Sequence, residues 1–249
     1  MDLQKLYAYT RKAIEDYKLI DEGDHIAVGI SGGKDSLTLL YAMAGIQKFY
    51  PKHFELSAVT VDLGFPGFYE SLDPIRELCD KLSVHYEVVR TDIARIVFEA
   101  RQENNPCALC ATLRKGALNR AIKKMGCNKV AYAHHRDDLI DTLMMSIIYE
   151  GRIHTFTPKT YLDRMEISVI RPMLYVPEMD VIGFRNKYEL PVVVNPCPED
   201  GESKRTYIND LVRRIEKENP GSKQRIFHSI LKTGFVFDDD RLPTDPPEK

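Results

Sequence analysis

The sequence contains no long run of apolar residues, and we expect no targeting segment. Its longest apolar stretches, such as residues 139–149, are short and carry polar side chains, so we expect no membrane span. The first residues lack the apolar core of a signal peptide, which predicts a cytoplasmic protein. With 249 residues, of which 43% are hydrophobic, the chain is long enough for one well-filled α/β domain and a small appendage.

Cysteine is scarce, and its number is odd. Five cysteines in a chain of this length do not make a disulfide framework. In a reducing compartment, cysteines that occur close together more often bind a metal. The cysteine content therefore favours a metal or cluster site over structural disulfide bonds.

The chain also lacks a strong excess of charge of either sign. Its formal net charge is −2, whereas a protein that holds a large RNA is more commonly basic. Basic residues do cluster locally, at 114–115, 123–124, 204–205 and 213–214. Such clusters are equally consistent with a solvated helix face and with a surface that meets RNA. The composition therefore argues against RNA as the substrate but does not exclude it.

Strand and helix patterns alternate along most of the chain. The predicted strands are 25–30, 55–61, 85–90, 129–133 and 191–194. The predicted helices between and beside them are 35–49, 72–82, 111–125, 136–149 and 178–188. This alternation predicts an α/β fold with a doubly wound parallel sheet, in which ligands bind at the carboxyl ends of the strands.

The same pattern predicts how the chain is divided. An amphipathic helix over residues 3–18 lies within an N-terminal segment, 1–24, which precedes the α/β domain at 25–203. Two C-terminal helices, 204–219 and 223–231, occupy the segment 204–237. The tail at 238–249 is rich in Asp and Pro, so we expect it to be mobile.

A Ser-Gly-Gly turn joins the first predicted strand to the next helix. It consists of Ser31, Gly32, Gly33, Lys34, Asp35 and Ser36. The glycines let the backbone approach a pyrophosphate, and the N–H groups at the helix start attract its charge. Lys34 adds a mobile ammonium, while Asp35 is placed to hold Mg²⁺ or a loop N–H. Because Asp35 follows the lysine directly, this is not a Walker A loop, and the turn predicts binding of ATP.

Two further segments are expected at the same edge of the sheet. The second strand ends at Val61 and Asp62, and Asp62 is equally consistent with nucleotide contact and with a turn. The fourth strand leads into His134-His135-Arg136-Asp137-Asp138 at a helix start. Its carboxylates could hold Mg²⁺ and Asp138 could orient the attacked group, while His135 could contact phosphate. The alternative for the aspartates is helix capping.

Three cysteines can reach this edge as well. Cys107 and Cys110 stand in a Cys-x-x-Cys pair just before a predicted helix, and Cys197 follows the last predicted strand. The helix start is expected to lower the pKa of the paired thiols. The spacing alone is compatible with a cluster, with a redox pair, or with Zn²⁺ completed by a histidine. Cys79 and Cys127 are predicted to be ordinary buried residues.

The turn and the motifs that follow it resemble known enzymes. Ser-Gly-Gly-Lys-Asp-Ser resembles the loop of the PP-loop family of ATP pyrophosphatases, with an adenine nucleotide alpha hydrolase-like fold. The ordered combination over residues 25–215 resembles the tRNA 2-thiocytidine synthetase family within that group. The further motifs of this resemblance are 106–116 around the Cys-x-x-Cys pair, 133–138, 170–174 and 195–197. Unlike family members with a second Cys-x-x-Cys, this chain follows Cys197 with the acidic stretch 198–205.

The resemblance implies cofactors, site residues and a reaction for this chain. It implies ATP and Mg²⁺, a [4Fe-4S] cluster held by Cys107, Cys110 and Cys197 with one iron left open, and contact of Val61 and Asp62 with adenosine. Catalytic roles are implied for Lys34, Asp35 and Asp138. The expected reaction adenylates a carbonyl of a tRNA base and replaces its oxygen with sulfur, supplied as sulfide or by a cysteine desulfurase, and the expected assembly is a homodimer.

Three alternatives remain open from the sequence. The first is a cluster-free adenylating ligase or amidotransferase that uses the same ATP loop. The second is an iron-sulfur desulfurase of small thiolated bases, since an open iron can accept sulfur as well as give it. The third is a non-catalytic module that senses ATP or a metal.

Overall fold

The computed structural model describes residues 1–100, 106–198 and 204–235. The described residues form two compact units, the first within Met1–His135 and Pro158–Asp200, the second within Arg136–Thr157 and Gly201–Lys249. The predicted mobile tail at 238–249 and the acidic residues 199–202 lie outside the described residues. Among the described helices, none has both the length and the apolar character needed to cross a bilayer.

A six-stranded sheet forms the centre of the first unit. Its strands are β1 (Asp24–Gly29), β2 (Phe54–Asp62), β3 (His85–Arg90), β4 (Lys129–Ala131), β5 (Lys159–Leu162) and β6 (Ile167–Ile170). The spatial order is β3-β2-β1-β4-β6-β5, and all neighbours are parallel except β5 and β6. The strand order reverses between β1 and β4, which is where such sheets bind ligands. The prediction of a doubly wound, largely parallel α/β fold is confirmed.

The helices follow the predicted alternation. In chain order they are α1 (Leu3–Asp16), α2 (Lys34–Gln47), α3 (Asp73–Leu82), α4 (Ile93–Arg95), α5 (Pro106–Lys124), α6 (Arg136–Met145), α7 (Glu178–Lys187), α8 (Lys204–Glu218) and α9 (Ser222–Lys232). A 3₁₀ turn at Glu70–Leu72 precedes α3, and π-helical turns at Ile96–Ala100 and Ser146–Glu150 follow α4 and α6. Helix α5 begins five residues earlier than predicted, so the Cys-x-x-Cys pair lies inside it.

The predicted strand at 191–194 is wrong. Residues 191–198 form no strand, although Val193 N donates a hydrogen bond of 3.0 Å to Gly32 O. Pro191 cannot donate to a ladder, and the side chain of Val194 is 85% exposed, so this β-branched run is not part of the buried sheet. The sheet is completed by β6 and by the antiparallel edge strand β5, two four-residue strands that the sequence analysis missed.

Apolar side chains cover both faces of the sheet in the first unit. On one face, Val28 of β1 lies in a buried cluster with Leu40 of α2 and Phe184 of α7. On the other face, Ala27 packs in a cluster with Ile122 of α5. With both faces covered, the central strands β1, β2 and β4 are almost continuously buried. This burial leaves the strand ends as the place where polar groups can gather.

An ion cluster around the buried side chains of Lys129 and Asp24 lies at the amino-terminal end of β4, opposite the carboxyl edge. The ammonium of Lys129, whose side chain is 5% exposed, lies 2.6 Å from Asp24 Oδ2 and 2.8 Å from Asp21 Oδ2. It also donates a hydrogen bond of 3.0 Å to Leu19 O. The hydrogen bond from Lys129 holds the pKa of Asp21 down at about 2. This end of the sheet is therefore a structural ion cluster.

Replacing Lys129 with Met is expected to destabilise the fold by ~3–5 kcal/mol, because it leaves the buried carboxylate of Asp24 without its cation. Since the pKa of Asp21 lies below its ordinary value, its contact stabilises the protein above about pH 4 and is lost as the pH falls towards 2. Urea unfolding at several pH values measures both effects. Lys123→Met is the control, because Lys123 forms an exposed ion pair with Glu166, worth ~0–1 kcal/mol. Equal losses in the two variants would contradict the prediction.

Candidate active site

The Ser-Gly-Gly turn leaves β1 at the carboxyl edge of the sheet and opens α2. Gly32 has φ +85°, in the left-handed region that favours glycine, and the N-cap residue Gly33 has no side chain with which to cap the helix. The first N–H groups of α2 therefore have no side-chain cap from this position. Such a helix start carries the positive end of the helix dipole, so it is suited to bind phosphate oxygens.

The two serines hold the turn in shape. Ser36 Oγ donates a hydrogen bond of 2.9 Å to Gly33 O and accepts one of 3.2 Å from Ser31 N. Ser31 Oγ in turn accepts a hydrogen bond of 3.3 Å from Gly33 N and lies 3.2 Å from Ser36 Oγ. These bonds fix the backbone of the turn.

Lys34 is held between two carboxylates. Its Nζ lies 3.0 Å from Asp35 Oδ1 and 3.4 Å from Glu178 Oε1 at the start of α7. Burial lowers the pKa of Lys34, but Asp35 and Glu178 more than offset this, so the pKa is raised overall. The lysine is therefore kept charged beside the loop. Glu178 was missed by the sequence analysis, because its contact with Lys34 spans 144 positions and carries no local pattern.

His135 lies against the same loop. Its Nε2 is 3.6 Å from Asp35 Oδ1, and its side chain is buried. Asp35 is thus shared between an ammonium and an imidazole within the first unit. The other histidine of the motif, His134, accepts a hydrogen bond of 3.2 Å at Nδ1 from Arg171 Nε. The two histidines thus have different neighbours, Asp35 beside His135 and Arg171 beside His134.

A cavity of about 240 Å³ opens beside the turn in the first unit. Its wall contains Ser31 and Gly33 of the turn, Val61 at the end of β2, and Arg114 of α5. The remaining lining residues are Thr60, Leu63, Phe65, Phe68, Val193, Asn195 and Pro196. The wall is thus partly apolar and partly polar, as in sites for small ligands.

Asp62, unlike Val61, does not line this cavity and instead stabilises a turn. Its Oδ1 accepts a hydrogen bond of 2.9 Å from Gly64 N, which is the turn role considered for it. It lines a second cavity, of about 400 Å³, together with Tyr69 and Arg90. The contact of Asp62 with a nucleotide stays a prediction.

The three motif cysteines lie in the first unit and influence one another electrostatically. Burial raises the pKa of Cys110, Arg114 lowers it in part, and the neighbouring thiols of Cys197 and Cys107 raise it further. The predicted lowering by the helix start is wrong for Cys110, because the loss of solvent around this thiol outweighs the favourable charges. Cys107 is exposed, and Cys110 and Cys197 are half-buried.

The donor set fits an iron-sulfur cluster in its chemistry, since sulfur ligands are what such clusters bind. Among the described residues, no three His, Cys, Asp or Glu side chains are already gathered as metal ligands. Burial raises the pKa of Cys79 to about 12 and that of Cys127 to about 11, so both are poor thiolates. Only the three motif cysteines are therefore candidates among the five.

The predicted aspartates belong to the second unit. Asp137 is buried and accepts a hydrogen bond of 2.7 Å from Lys223 Nζ, while Asp138 Oδ1 lies 3.0 Å from Arg205 Nη1. Burial raises the pKa of Asp141, which accepts a hydrogen bond of 3.0 Å from Asn209. Asp137 and Asp138 are therefore engaged with cations of α8 and α9 in the same unit. Their proposed work on Mg²⁺ and on the attacked group stays a prediction.

A parallel sheet with an open helix start, a glycine turn and a neighbouring cavity defines a nucleotide-binding α/β protein. The family model described as "PP-loop domain" matches residues 4–215. The tRNA-cytidine(32) 2-sulfurtransferase of Syntrophotalea carbinolica is 40% identical over 230 residues, which cover 91% of this chain and 88% of that protein. The enzyme of the same name from Geobacter sulfurreducens is 37% identical over 222 residues, with 88% and 86% covered.

Solved structures share this fold. The U34-tRNA thiolase NcsA from Methanococcus maripaludis, solved with its [4Fe-4S] cluster, has a TM-score of 0.76 at 26% identity and covers 92% of this chain and 78% of its own. An NH3-dependent NAD synthetase from Campylobacter jejuni shares the fold, with a TM-score of 0.50 at 17% identity, covering 94% and 93%. The chain belongs to the PP-loop family and, within it, to the tRNA-cytidine(32) 2-sulfurtransferases.

Replacing Gly32 with Ala is expected to weaken ATP binding at least tenfold without unfolding the protein. The residue has φ +85°, and an added Cβ would lie 3.2 Å from Val193 Cβ, so the turn must shift. Gly126→Ala is the matched control, because Gly126 has φ +74° but nothing within 4 Å of an added Cβ. Titration with ATP measures the affinity and thermal unfolding the stability. Equal affinities in the two variants would mean that the turn does not hold the nucleotide.

Proposed function

We propose that this protein is an ATP-dependent tRNA sulfurtransferase, which replaces the 2-oxo oxygen of a cytidine with sulfur. One observation supports this above the others: residues in the wall of the cavity are sequence neighbours of the motif cysteines. Arg114, in the cavity wall, stands one helical turn after Cys110, and Asn195 and Pro196, also in the wall, directly precede Cys197. A nucleotide in this cavity would therefore lie close to the three cysteines.

The turn binds and orients ATP in this proposal. The first N–H groups of α2 and the ammonium of Lys34 take the phosphate oxygens, and Asp35 contributes a carboxylate for Mg²⁺. The cytidine oxygen attacks the α-phosphorus, a new oxygen–phosphorus bond forms, and pyrophosphate leaves with the electron pair of the broken bond. Lys34 stabilises the charge that builds up on the leaving phosphates.

The second half of the reaction needs sulfur near the activated carbon. Cys107, Cys110 and Cys197 would hold a [4Fe-4S] cluster, which when bound offers one iron without a protein ligand to carry sulfide. Sulfide adds to C2 of the base, the carbon–oxygen bond breaks, and AMP leaves with that electron pair. The apolar residues of the cavity wall restrict water, which would otherwise return the oxygen.

Further parts of the proposal concern the surroundings of the reaction. We expect the substrate to be tRNA, as the names of the relatives indicate for those proteins. The sulfur is expected to arrive as sulfide or from a cysteine desulfurase. A homodimer and a cytoplasmic location complete the proposal.

The decisive experiment combines cluster-reconstituted protein, ATP, Mg²⁺, sulfide and unmodified tRNA without oxygen. Mass spectrometry of the digested tRNA is expected to detect 2-thiocytidine, in step with AMP and pyrophosphate, and only when ATP is present. A modified base without iron would instead indicate the cluster-free ligase, and removal of sulfur from thiolated bases would indicate the desulfurase. ATP binding with no AMP formed would favour the non-catalytic module.

A further inference from the structure

The second unit exposes a group of apolar side chains on a well-anchored segment. They are Ile147, Ile148 and Tyr149 in the π-helical turn after α6, and Ile153, which is 63% exposed. The buried Ser146 anchors this segment, since its Oγ donates to His154 O at 2.8 Å and accepts from His154 N at 3.0 Å. Because the backbone is held at both ends, the exposure is a feature of the folded chain rather than of a frayed end.

Helix α8 adds basic and aromatic side chains to the same surface. The Lys204 ammonium lies 4.9 Å from the centre of the Tyr149 ring, a cation–π contact. Tyr207, 59% exposed, follows Lys204 by one helical turn, and Arg214 follows Tyr207 by two. Ile208 and Val212 of the same helix are buried. We refer to Tyr149, Lys204, Tyr207 and Arg214 as the tyrosine edge.

The charge of this part of the chain differs from that of the whole. Residues 204–235 contain eight lysines and arginines but three acidic residues, in a protein whose formal net charge is −2. Several of these cations are engaged, for example Arg205 with Asp138 and Lys223 with Asp137. Lys204 and Arg214, by contrast, have no carboxylate partner within the described ranges. The tyrosine edge therefore carries two cations for which the described ranges give no carboxylate partner.

We propose that the tyrosine edge binds a single-stranded RNA loop, with bases stacked on Tyr149 and Tyr207 and phosphates on Lys204 and Arg214. Exposed aromatic rings beside unpaired cations are how proteins hold unstacked bases and their backbone. A second copy of the chain fits less well, because charges are depleted at the core of protein interfaces and Lys204 lies directly over the Tyr149 ring. The inference rests on the proposed tRNA substrate and adds the surface that receives its loop.

The test measures binding of a fluorescent anticodon stem-loop RNA to the cluster-loaded full chain by anisotropy. Tyr207→Ala is expected to weaken binding about tenfold, and Tyr207→Phe, which keeps the stacking ring, to remain within about twofold of wild type. Lys204→Gln is expected to reduce the slope of log affinity against log salt by about 0.7. Tyr161→Ala is the matched control, since Tyr161 is 56% exposed on β5 in the first unit. Iron content and ATP affinity are expected to stay unchanged in all four variants.

The outcomes separate this inference from the proposed function. If wild type and Tyr161→Ala bind RNA and Tyr207→Ala binds equally well, the tyrosine edge is not the RNA surface, while the sulfurtransferase proposal stands. If wild type binds no tRNA, the proposed function fails first. If Tyr207→Ala changes the sedimenting mass of the protein and not its RNA affinity, the edge is an interface between copies and the inference is overturned.

Discussion

Replacing Cys110 with Ala is expected to remove most of the iron from the protein and to abolish thiolation. The half-buried Cys110 is a motif thiol whose pKa is raised in part by both of the others, so it belongs to the same group. Two remaining thiols cannot supply the three protein ligands that the proposed cluster needs. Iron, acid-labile sulfide and 2-thiocytidine formation, measured on the anaerobically purified variant, give the result.

Cys79→Ala is the control for that experiment. Cys79 is fully buried in the apolar core, and burial raises its pKa to about 12, so its thiol is held in the uncharged form. We expect this variant to keep its iron and its activity, with a modest loss of stability from the small cavity. Loss of iron in both variants would refute the assignment of ligands, and so would iron retained in Cys110→Ala.

Replacing Lys34 with Ala is expected to lower kcat by about 10²- to 10³-fold, because the variant loses the cation that meets the leaving phosphates. ATP affinity is expected to fall too, since Lys34 lies at the start of α2 beside the turn. Removal of the ammonium also leaves Asp35 and Glu178 without the cation they share. Two carboxylates facing the phosphates would then add repulsion to the lost attraction.

The control for Lys34 lies on the same helix. Lys48 is exposed at the C-cap of α2, so Lys48→Ala removes an equal charge at the other end. Steady-state kinetics with tRNA saturating, iron content and thermal unfolding are measured on both variants. We expect iron and stability to remain near wild type in each. Full activity in Lys34→Ala, or a parallel loss of iron, would remove Lys34 from the proposed chemistry.

The parts of the fold that depend on local chemistry could be predicted from the sequence. A glycine that needs positive φ, an uncapped helix start and buried β-branched strands leave a pattern within a few residues, as in residues 24–36. A local pattern also produced the wrong strand at residues 191–194, because three valines favour a strand whether or not a neighbouring strand is available for pairing. The short strands β5 and β6 become recognisable only through their pairing with each other and with β4.

In the candidate site too, only the local features could be predicted from the sequence. The types of its residues were readable, but their contacts are set by packing between distant segments. Glu178 reaches Lys34 from α7, and the pKa of Cys110 follows from burial that no helix-start rule contains. The hydrogen bond that Asp62 accepts from Gly64 is local, by contrast, and the sequence analysis already included this turn role beside nucleotide contact.

The hydrogen bond from Val193 N to Gly32 O has a consequence for the reach of Cys197. Residues 191–198 belong to no strand or helix, yet this bond of 3.0 Å ties them to the glycine turn. Cys197 follows Val193 by four positions, and a fully extended chain spans at most about 3.6 Å per residue, or about 14 Å in all. As long as this hydrogen bond holds, the backbone of Cys197 stays within that distance of Val193, which is itself bonded to the glycine turn, whatever course the following chain takes.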